Sequence, residues 1–430
     1  MNGKEKAVAL VLGLFLLVGC GMADSITPES TGQTSVVLNQ QTEKETWQPA
    51  GMMIPVSGQT VWSTQGDVAW GEGDELVDGG TLLCAVDLQT GKRKVFCAEN
   101  SCPHTDRSCG GWLAMGDSIH LCPLPDGTLA LLYGPGLPEE NEPLTLELRD
   151  KTGRVLRSAQ VEPESLFGLV YSDGAALYLI RQEHQQSERG AITDVLVRIS
   201  LEDDTFGEKQ EITRWENERE HFLPGICTEN GILAAKTAFE KSADGERMPM
   251  GGVLYELCWD GSRRTLARAQ KGQAFWMSFS GQMAVFRYDY DTGALEQLDL
   301  ETGVFRSFAQ LRPGLSLIGG AVFTNGWLFC NVSDGAQNFT IAVQQDRQPQ
   351  RSPLQAVHNG RQQTAMVQQA LDGGKLLVEV GQIESPVQYL DDDGRLTEGV
   401  TTETLWGVFT PEQYLAGDAN CVMVEPERGT

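Results

Sequence analysis

The length, composition and charge of this sequence exclude several classes of protein. Its 430 residues carry 59 acidic and 33 basic side chains, which gives a formal net charge of −26 at pH 7. Nucleic acids are bound through basic surfaces, so this balance argues against a nucleic acid partner. The 10 cysteines are also far too sparse for a fold that disulfides hold together.

The N-terminus has the pattern of an export signal. Lys4 and Lys6 precede an apolar run over residues 7–18, as a charged segment precedes the short hydrophobic segment of a secretory signal. The run is too short to span a bilayer comfortably. We therefore expect residues 1–19 to be a signal peptide and the mature protein to be extracytoplasmic.

The apolar run ends in Leu17-Val18-Gly19-Cys20, which resembles the lipobox of bacterial lipoproteins. The resemblance implies cleavage between Gly19 and Cys20 and a diacylglycerol on the Cys20 sulfur. Acyl chains at this position would attach the protein to the extracytoplasmic face of the cell membrane. The alternative is an ordinary signal peptide in which Cys20 is incidental.

The segment after the signal peptide differs in composition from the rest of the chain. Residues 20–50 are rich in Ser, Thr, Gln and Glu and poor in large apolar residues. Such a segment buries too little apolar surface to fold alone, so it predicts a flexible tether after Cys20. We expect the remaining residues, 51–430, to form one domain.

Two series of turns repeat through this domain. In the first, a turn of small or polar residues precedes a short apolar run, and its seven members extend from QGDVAW near residue 66 to DGGKLLVEV at 372. Their spacing averages about 51 residues, close to the length of a propeller blade. The second series consists of hairpin turns and also has seven members, from DLQTGKR at residue 87 to DDDGRLT at 391.

Two interleaved turn series with one shared period predict repeated units of four short antiparallel strands. We therefore predict an all-β β-propeller over residues 51–430 with seven blades, or with six or eight, because the first and last units are ragged. Either residues 52–56 or the C-terminal stretch TLWGVF at 404–409 is expected to close the ring. Thr410 before Pro411 predicts one short helix.

The lipobox and the propeller repeats together resemble uncharacterised bacterial lipoproteins with a TolB-like or YncE-like β-propeller. This resemblance covers essentially the whole mature chain. It implies a lipid anchor and a propeller fold, but it implies no activity.

Three cysteines and a histidine crowd into the connection between the first and second repeats. Cys97, Cys102, His104 and Cys109 have the spacing C-x4-C-x-H-x4-C. Three thiolates and an imidazole complete the tetrahedral coordination of zinc, and a closed set of four ligands is structural rather than catalytic. The lipoproteins that this chain resembles carry a similar segment after their first hairpin. The sequence thus predicts a structural zinc site.

Two alternatives stay open for these residues. Export of the protein favours disulfides, for instance between Cys102 and Cys109, and free thiols are the third possibility. Cys84 would lie opposite Cys97, and could bond to it, if the first hairpin loop were QTGK. A loop that ends at Gly91 moves Cys84 out of that register.

No residue is predicted to be catalytic. The sequence contains no G-x-S-x-G, H-E-x-x-H, Walker or G-x-G-x-x-G motif in a usable context. His120, His184, His221 and His358 each lack a companion at metal-ligand spacing. We therefore expect a binding or scaffolding module for an unknown protein or glycan ligand rather than an enzyme. The alternative is a polysaccharide-active hydrolase or lyase of propeller fold.

Overall fold

Residues Thr46–Thr430 form one compact unit, and the computed structural model describes most of it. The described residues are 54–55, 63–73, 77–114, 117–135, 144–161, 170–184, 192–202, 205–217, 223–241, 247–358, 360–390 and 396–426. The predicted signal peptide, Cys20 and the predicted tether lie outside them.

Nearly all regular structure in these residues is β-strand, because short apolar runs alternate with turn residues. Strand β1 is Ile54–Pro55, and the strands after it fall into consecutive antiparallel units of four. Unit 1 comprises β2 (Ser63–Gln65), β3 (Val68–Glu72), β4 (Gly80–Asp87) and β5 (Arg93–Val95), and is followed by β6 (Trp112–Ala114). Unit 2 comprises β7 (Asp117–Pro123), β8 (Leu129–Pro135), β9 (Leu144–Arg149) and β10 (Val155–Val161). Unit 3 comprises β11 (Val170–Ser172), β12 (Ala176–His184), β13 (Ile192–Ser200) and β14 (Gln210–Asn217).

Units 4 to 7 continue the same arrangement. Unit 4 comprises β15 (Leu223–Cys227), β16 (Gly231–Lys241), β17 (Arg247–Cys258) and β18 (Arg263–Ala269). Unit 5 comprises β19 (Gln273–Gly281), β20 (Ala284–Asp289), β21 (Ala294–Asp299) and β22 (Val304–Gln310). Unit 6 comprises β23 (Ser316–Thr324), β24 (Trp327–Ser333), β25 (Asn338–Gln344) and β26 (Gln350–Arg351). Unit 7 follows the hairpin of β27 (Gln355–His358) and β28 (Arg361–Thr364), and comprises β29 (Met366–Ala370), β30 (Leu376–Leu390), β31 (Leu396–Phe409) and β32 (Val422–Met423).

The two turn series of the sequence occupy fixed places in these units. Each member of the first series joins the first strand of a unit to the second, and in unit 7 this turn contains a 3-10 helix, Asp372–Gly374. The second series joins the third strand to the fourth in units 1 to 6. In unit 7, DDDGRLT instead joins β30 to β31, the second and third strands. These two strands are 15 and 14 residues long and form one long hairpin.

The predicted short helix is confirmed as α1 (Pro411–Ala416). Thr410 caps it, since its hydroxyl accepts from the Gln413 amide over 3.2 Å and the Gln413 side chain accepts from the Thr410 amide over 2.9 Å. No helix within the described ranges is long and apolar enough to cross a membrane.

Within the described residues, seven apolar clusters pack consecutive units together, because alternate residues of a strand face opposite neighbours. In β8, Leu129 and Leu131 pack with unit 1, whereas Ala130 and Leu132 pack with unit 3. Further clusters join the remaining neighbours, including unit 7 to unit 1, where Trp406 packs with residues of β3 and β4. The units therefore surround a common axis as propeller blades do.

The all-β propeller predicted from the sequence is confirmed. The first strands of units 5 and 6, β19 and β23, pair in parallel and join these units into one eight-stranded sheet. The number of blades depends on whether this sheet counts as one or two, so seven blades stay a prediction.

Within the described residues, neither expected closing strand forms a strand pair between the last unit and the first. Strand β1 pairs with β11, the first strand of unit 3, because the free edge of that strand offers backbone groups to any extended segment. The stretch TLWGVF lies inside β31. Besides the apolar cluster, two hydrogen bonds connect units 7 and 1: the Glu425 amide donates to the Gly91 carbonyl over 2.8 Å, and the Gly66 amide donates to the side-chain Oδ2 of Asp372 over 2.6 Å.

Candidate metal centre

The predicted metal ligands lie on an excursion of the chain from the outer edge of unit 1. The chain leaves the unit after β5, passes through residues 96–111 and returns in β6. Both strands pair with β4, with Cys84 opposite Val95 and Leu82 opposite Trp112. The excursion, called the 96–111 loop below, therefore begins and ends beside neighbouring residues of one strand.

The structure brings all four predicted ligands together. The Sγ atoms of Cys97, Cys102 and Cys109 and a ring nitrogen of His104 lie within 4.8 Å of one another. The Nδ1 atom of His104 is 3.2 Å from the Sγ atom of Cys109. In the part of the chain that the structure describes, no other group of three or more His, Cys, Asp or Glu side chains is compact enough to hold a metal ion.

Local turns bend the 96–111 loop around this cluster. The Cys102 amide donates to the Glu99 carbonyl and the Cys109 amide donates to the Asp106 carbonyl, both over 3.1 Å. His104 has a φ of 56°, in the left-handed region that residues other than glycine adopt rarely. This conformation turns the chain sharply between the second and fourth ligands.

The loop and the first residue of β6 each contact the turn that precedes β4. The Arg107 guanidinium donates to Asp78 Oδ2 over 2.9 Å, and the indole nitrogen of Trp112 donates to the Val77 carbonyl over 2.7 Å. The hydrogen bond from Arg107 holds the pKa of Asp78 below its usual value, so the pair is ionic at neutral pH. The ligand cluster thus lies in a loop that unit 1 supports from one side.

The thiols of the cluster have different electrostatic surroundings. Burial raises the pKa of Cys109 to about 12, although the Gly111 amide donates to its sulfur over 3.4 Å. Burial also acts on Cys97, but hydrogen bonds, among them those from the Glu99 and Gly110 amides, outweigh it and lower the pKa of this thiol. The Cys97 thiol therefore loses its proton more readily than the Cys109 thiol, and a bound cation would stabilise the thiolate forms of both.

The donor set fits a tetrahedral metal ion. Zinc binds thiolate sulfur at about 2.3 Å and imidazole nitrogen at about 2.0–2.1 Å, so its donor atoms lie about 3.6–3.8 Å apart. Donor atoms that lie within 4.8 Å of one another reach this geometry through small rotations of their side chains. The Cys/His cluster can therefore bind a metal ion.

The remaining cysteines of this region are not members of the ligand set. Cys84 lies opposite Val95 and out of register with Cys97, because the hairpin loop closes with a hydrogen bond from the Asp87 amide to the Lys92 carbonyl. Cys122, which is close in sequence, is buried between units 2 and 3. The three cysteines of the cluster are free thiols in the structure.

The other histidines lie apart from the cluster. His120, in β7, is buried with no hydrogen bond to either ring nitrogen, and burial lowers its pKa to about 4. His358 has its Nε2 atom 3.5 Å from Oε1 of Glu379. The side chain of His184 and the whole of His221 lie outside the described residues.

The residues that support the loop from outside could not be identified from the sequence. Asp78 contacts Arg107 across 29 positions, and Arg149 of unit 2 donates to the Gly110 carbonyl across 39 positions. No local motif marks either residue, since only the packing of the strands brings them to the loop.

Comparison with known proteins concerns the fold alone. No protein-family model and no curated protein matches the chain. The chain is similar to the β-propeller domain of the Trilobed protease from Pyrococcus furiosus, with 9% identity, coverage of 88% of this chain and 100% of that one, and a TM-score of 0.46.

Two peptidases are similar at the same level. A puromycin-hydrolyzing peptidase from Mycobacterium tuberculosis is 10% identical over 84% of this chain and 50% of its own length, with a TM-score of 0.42. The acylaminoacyl peptidase from Pyrococcus horikoshii is 10% identical over 81% of this chain and 57% of its own length, also with a TM-score of 0.42. This chain therefore spans about half the length of these two peptidases.

Proposed function

We propose that this protein is a lipid-anchored, extracytoplasmic propeller that binds or scaffolds a protein or glycan ligand, with a structural zinc ion in the 96–111 loop. The observation that carries the proposal is the convergence of Cys97, Cys102, His104 and Cys109. Their four donor atoms fill a tetrahedral shell, so a metal ion held there keeps no open position for a substrate. Such a site supports a fold rather than a reaction.

Zinc is the metal that best suits these ligands. Thiolate and imidazole donors favour zinc over calcium, magnesium and manganese, which prefer oxygen ligands. Zinc also has no redox chemistry of its own, which suits a site that holds structure. Bound zinc would keep the ends of the 96–111 loop beside β4, and thus keep β6 paired with β4.

Membrane attachment is proposed through Cys20, which lies outside the described residues. Two acyl chains hold a protein on a membrane without a spanning helix, because each buried methylene contributes about 0.8 kcal/mol. The net charge of −26 repels anionic lipid headgroups, so it suits a domain held away from the surface by a tether. Full-length protein expressed in a bacterial host should sediment with membranes and carry a diacylglycerol on Cys20 by mass spectrometry. Acylation that persists in Cys20→Ala overturns this assignment.

Metal analysis and thiol counting test the proposed zinc site. Full-length protein purified without chelators should contain close to one zinc ion per chain, and chelation of the native protein should remove this zinc and make three further thiols reactive. A thiol count that rises only after reduction, in protein without metal, supports disulfides instead.

A pair of cysteine variants gives this measurement its control. Cys102→Ser removes a ligand and should reduce the zinc content. Cys258→Ser removes a cysteine of similar, partial exposure from unit 4 and should leave the zinc content unchanged.

A further inference from the structure

Unit 2 contacts the 96–111 loop near both of its ends. Arg149, the last residue of β9, donates from Nη1 to the Gly110 carbonyl over 2.7 Å. In the turn that follows, Gly153 packs so closely that a Cβ atom there would lie 2.8 Å from the Phe96 carbonyl oxygen. One hairpin of unit 2 therefore contacts the loop beside its first ligand and beside its last.

Arg149 is a buried cation held in place by unit 2. Its side chain is 4% exposed, and its Nε and Nη2 atoms donate to Oε2 of Glu147 over 2.8 and 2.6 Å. The Tyr133 hydroxyl donates to the other carboxylate oxygen of Glu147 over 3.2 Å. These contacts fix one side of the guanidinium, so its Nη1 atom is directed at the Gly110 carbonyl.

A single peptide group connects Arg149 to a ligand sulfur. The Gly110 carbonyl and the Gly111 amide belong to the same peptide bond, and this amide donates to the Cys109 sulfur over 3.4 Å. A cationic donor on the carbonyl polarises the peptide and strengthens its N–H as a hydrogen-bond donor. Charge on Arg149 thereby acts on the sulfur of Cys109 without touching it.

We propose that Arg149 is a positioning residue for the metal centre, which orients and polarises the Gly110–Gly111 peptide so that it stabilises the ligand thiolates. This inference rests on the proposed zinc site. A divalent ion with three thiolates and a neutral imidazole carries a net charge of −1, so nearby amide donors and a buried cation stabilise it. Because Arg149 belongs to unit 2, zinc binding is coupled to the packing of unit 2 against the loop.

The zinc affinity of Arg149→Lys tests this role in the full-length protein. Lysine keeps the positive charge, but it cannot maintain the fork of hydrogen bonds to both Glu147 and Gly110. We expect the Kd for zinc, measured by competition with a chromophoric chelator, to rise about 10–100-fold, as is usual when an outer-shell partner is lost. Cobalt-loaded protein should retain its thiolate-to-cobalt absorption bands, shifted in position, because all four ligands remain.

Arg287→Lys is the matched control for a general effect on stability. Arg287 donates from Nε and Nη2 to Oε2 of Glu296 over 2.9 and 2.6 Å, which is the hydrogen-bond geometry of the Arg149 pair, at a more exposed position in unit 5. The zinc affinity of this variant should stay within about twofold of the wild type.

A double variant distinguishes the positioning role of Arg149 from the effect of leaving Glu147 buried without a partner. Glu147→Gln/Arg149→Met removes both members of the buried pair at once and leaves no uncompensated carboxylate. It should also weaken zinc binding about 10–100-fold, with the far-ultraviolet circular dichroism of the wild type. If both Arg149 variants bind zinc as Arg287→Lys does, the positioning role is wrong and the zinc site stands. If the wild-type protein binds no zinc, the proposed site itself is wrong.

Discussion

Gly91 and Met423 are in direct backbone contact where unit 7 meets unit 1. A Cβ atom on Gly91 would lie 1.9 Å from the Met423 carbonyl oxygen, and Gly91 has a φ of 75°. The Gly91 carbonyl also accepts a hydrogen bond from the Glu425 amide over 2.8 Å. The C-terminal segment can therefore cross the first hairpin only because a glycine ends that hairpin turn.

Gly91→Ala should destabilise the protein more than Gly303→Ala does. Both glycines end a D-L-x-T-G turn with positive φ, 75° and 69°, so each substitution costs about 1–2 kcal/mol in backbone strain. No atom lies within 4 Å of a Cβ atom on Gly303, whereas Gly91 faces the Met423 carbonyl. We expect denaturant unfolding to show an additional loss of about 1–3 kcal/mol for Gly91→Ala. Equal losses would contradict the described contact between units 7 and 1.

Bound zinc should raise the thermal stability of the protein. A ligand that binds only the folded state stabilises it by about 4 kcal/mol at a concentration 1,000 times its Kd. Cys109→Ser should abolish the dependence of Tm on added zinc, because it removes a ligand. Cys227→Ser is matched in burial, since both cysteines are 4% exposed, and it should lower Tm while the dependence on zinc persists. A wild-type Tm that does not change with added zinc contradicts a structural role for the metal.

Protonation of His120 should cost stability as the pH falls from about 6.5 to 4. Burial lowers the pKa of this histidine to about 4, whereas an unfolded histidine takes up its proton near pH 6.5. The unfolded state therefore binds more protons in this range, and folding stability decreases until the folded protein is also protonated below pH 4. The total loss is about 3 kcal/mol.

Comparison of the wild type with His120→Leu isolates this contribution. The variant should lose about 2–3 kcal/mol less unfolding free energy between pH 7 and pH 4.5. Both proteins are measured with chelator present, so that release of zinc in acid does not contribute. Parallel pH profiles for the two proteins show that His120 does not titrate in this way.

A buried network of side chains joins units 6 and 7. Asn331 donates to the Val367 carbonyl over 2.7 Å and accepts from the Thr340 hydroxyl over 2.6 Å, and that hydroxyl accepts from the Val367 amide over 3.3 Å. Asn331→Leu leaves a buried carbonyl and a hydroxyl without these partners, so it should lower the unfolding free energy by about 2–4 kcal/mol. Asn331→Leu/Thr340→Val should cost less than the sum of the single variants, and strict additivity argues against the network.

The fold was predictable because its signals are local. A turn such as Asn325-Gly326 and the apolar run after it define the β23–β24 hairpin without reference to the rest of the chain. The pairing of β1 with β11 was not predictable, since it joins Ile54 to Ser172 through backbone groups that any extended segment presents.

The clustering of the four predicted ligands was predictable for a different reason. Residue type and close spacing alone identify Cys97, Cys102, His104 and Cys109 as candidate ligands. A short loop can bring residues so close in sequence together in space. The position of Cys84 depended on which residues form one hairpin loop, and the contact of Arg149 with Gly110 depended on how two units pack. Neither relationship has a signature in the local sequence.

X-ray absorption at the zinc K edge of the full-length protein tests the central claim most directly. A zinc ion in the 96–111 loop predicts a shell of three sulfur atoms at about 2.3 Å and one nitrogen atom at about 2.0–2.1 Å. A zinc shell of oxygen and nitrogen alone contradicts the claim, and so does metal-free protein in which Cys97, Cys102 or Cys109 is oxidised to a disulfide.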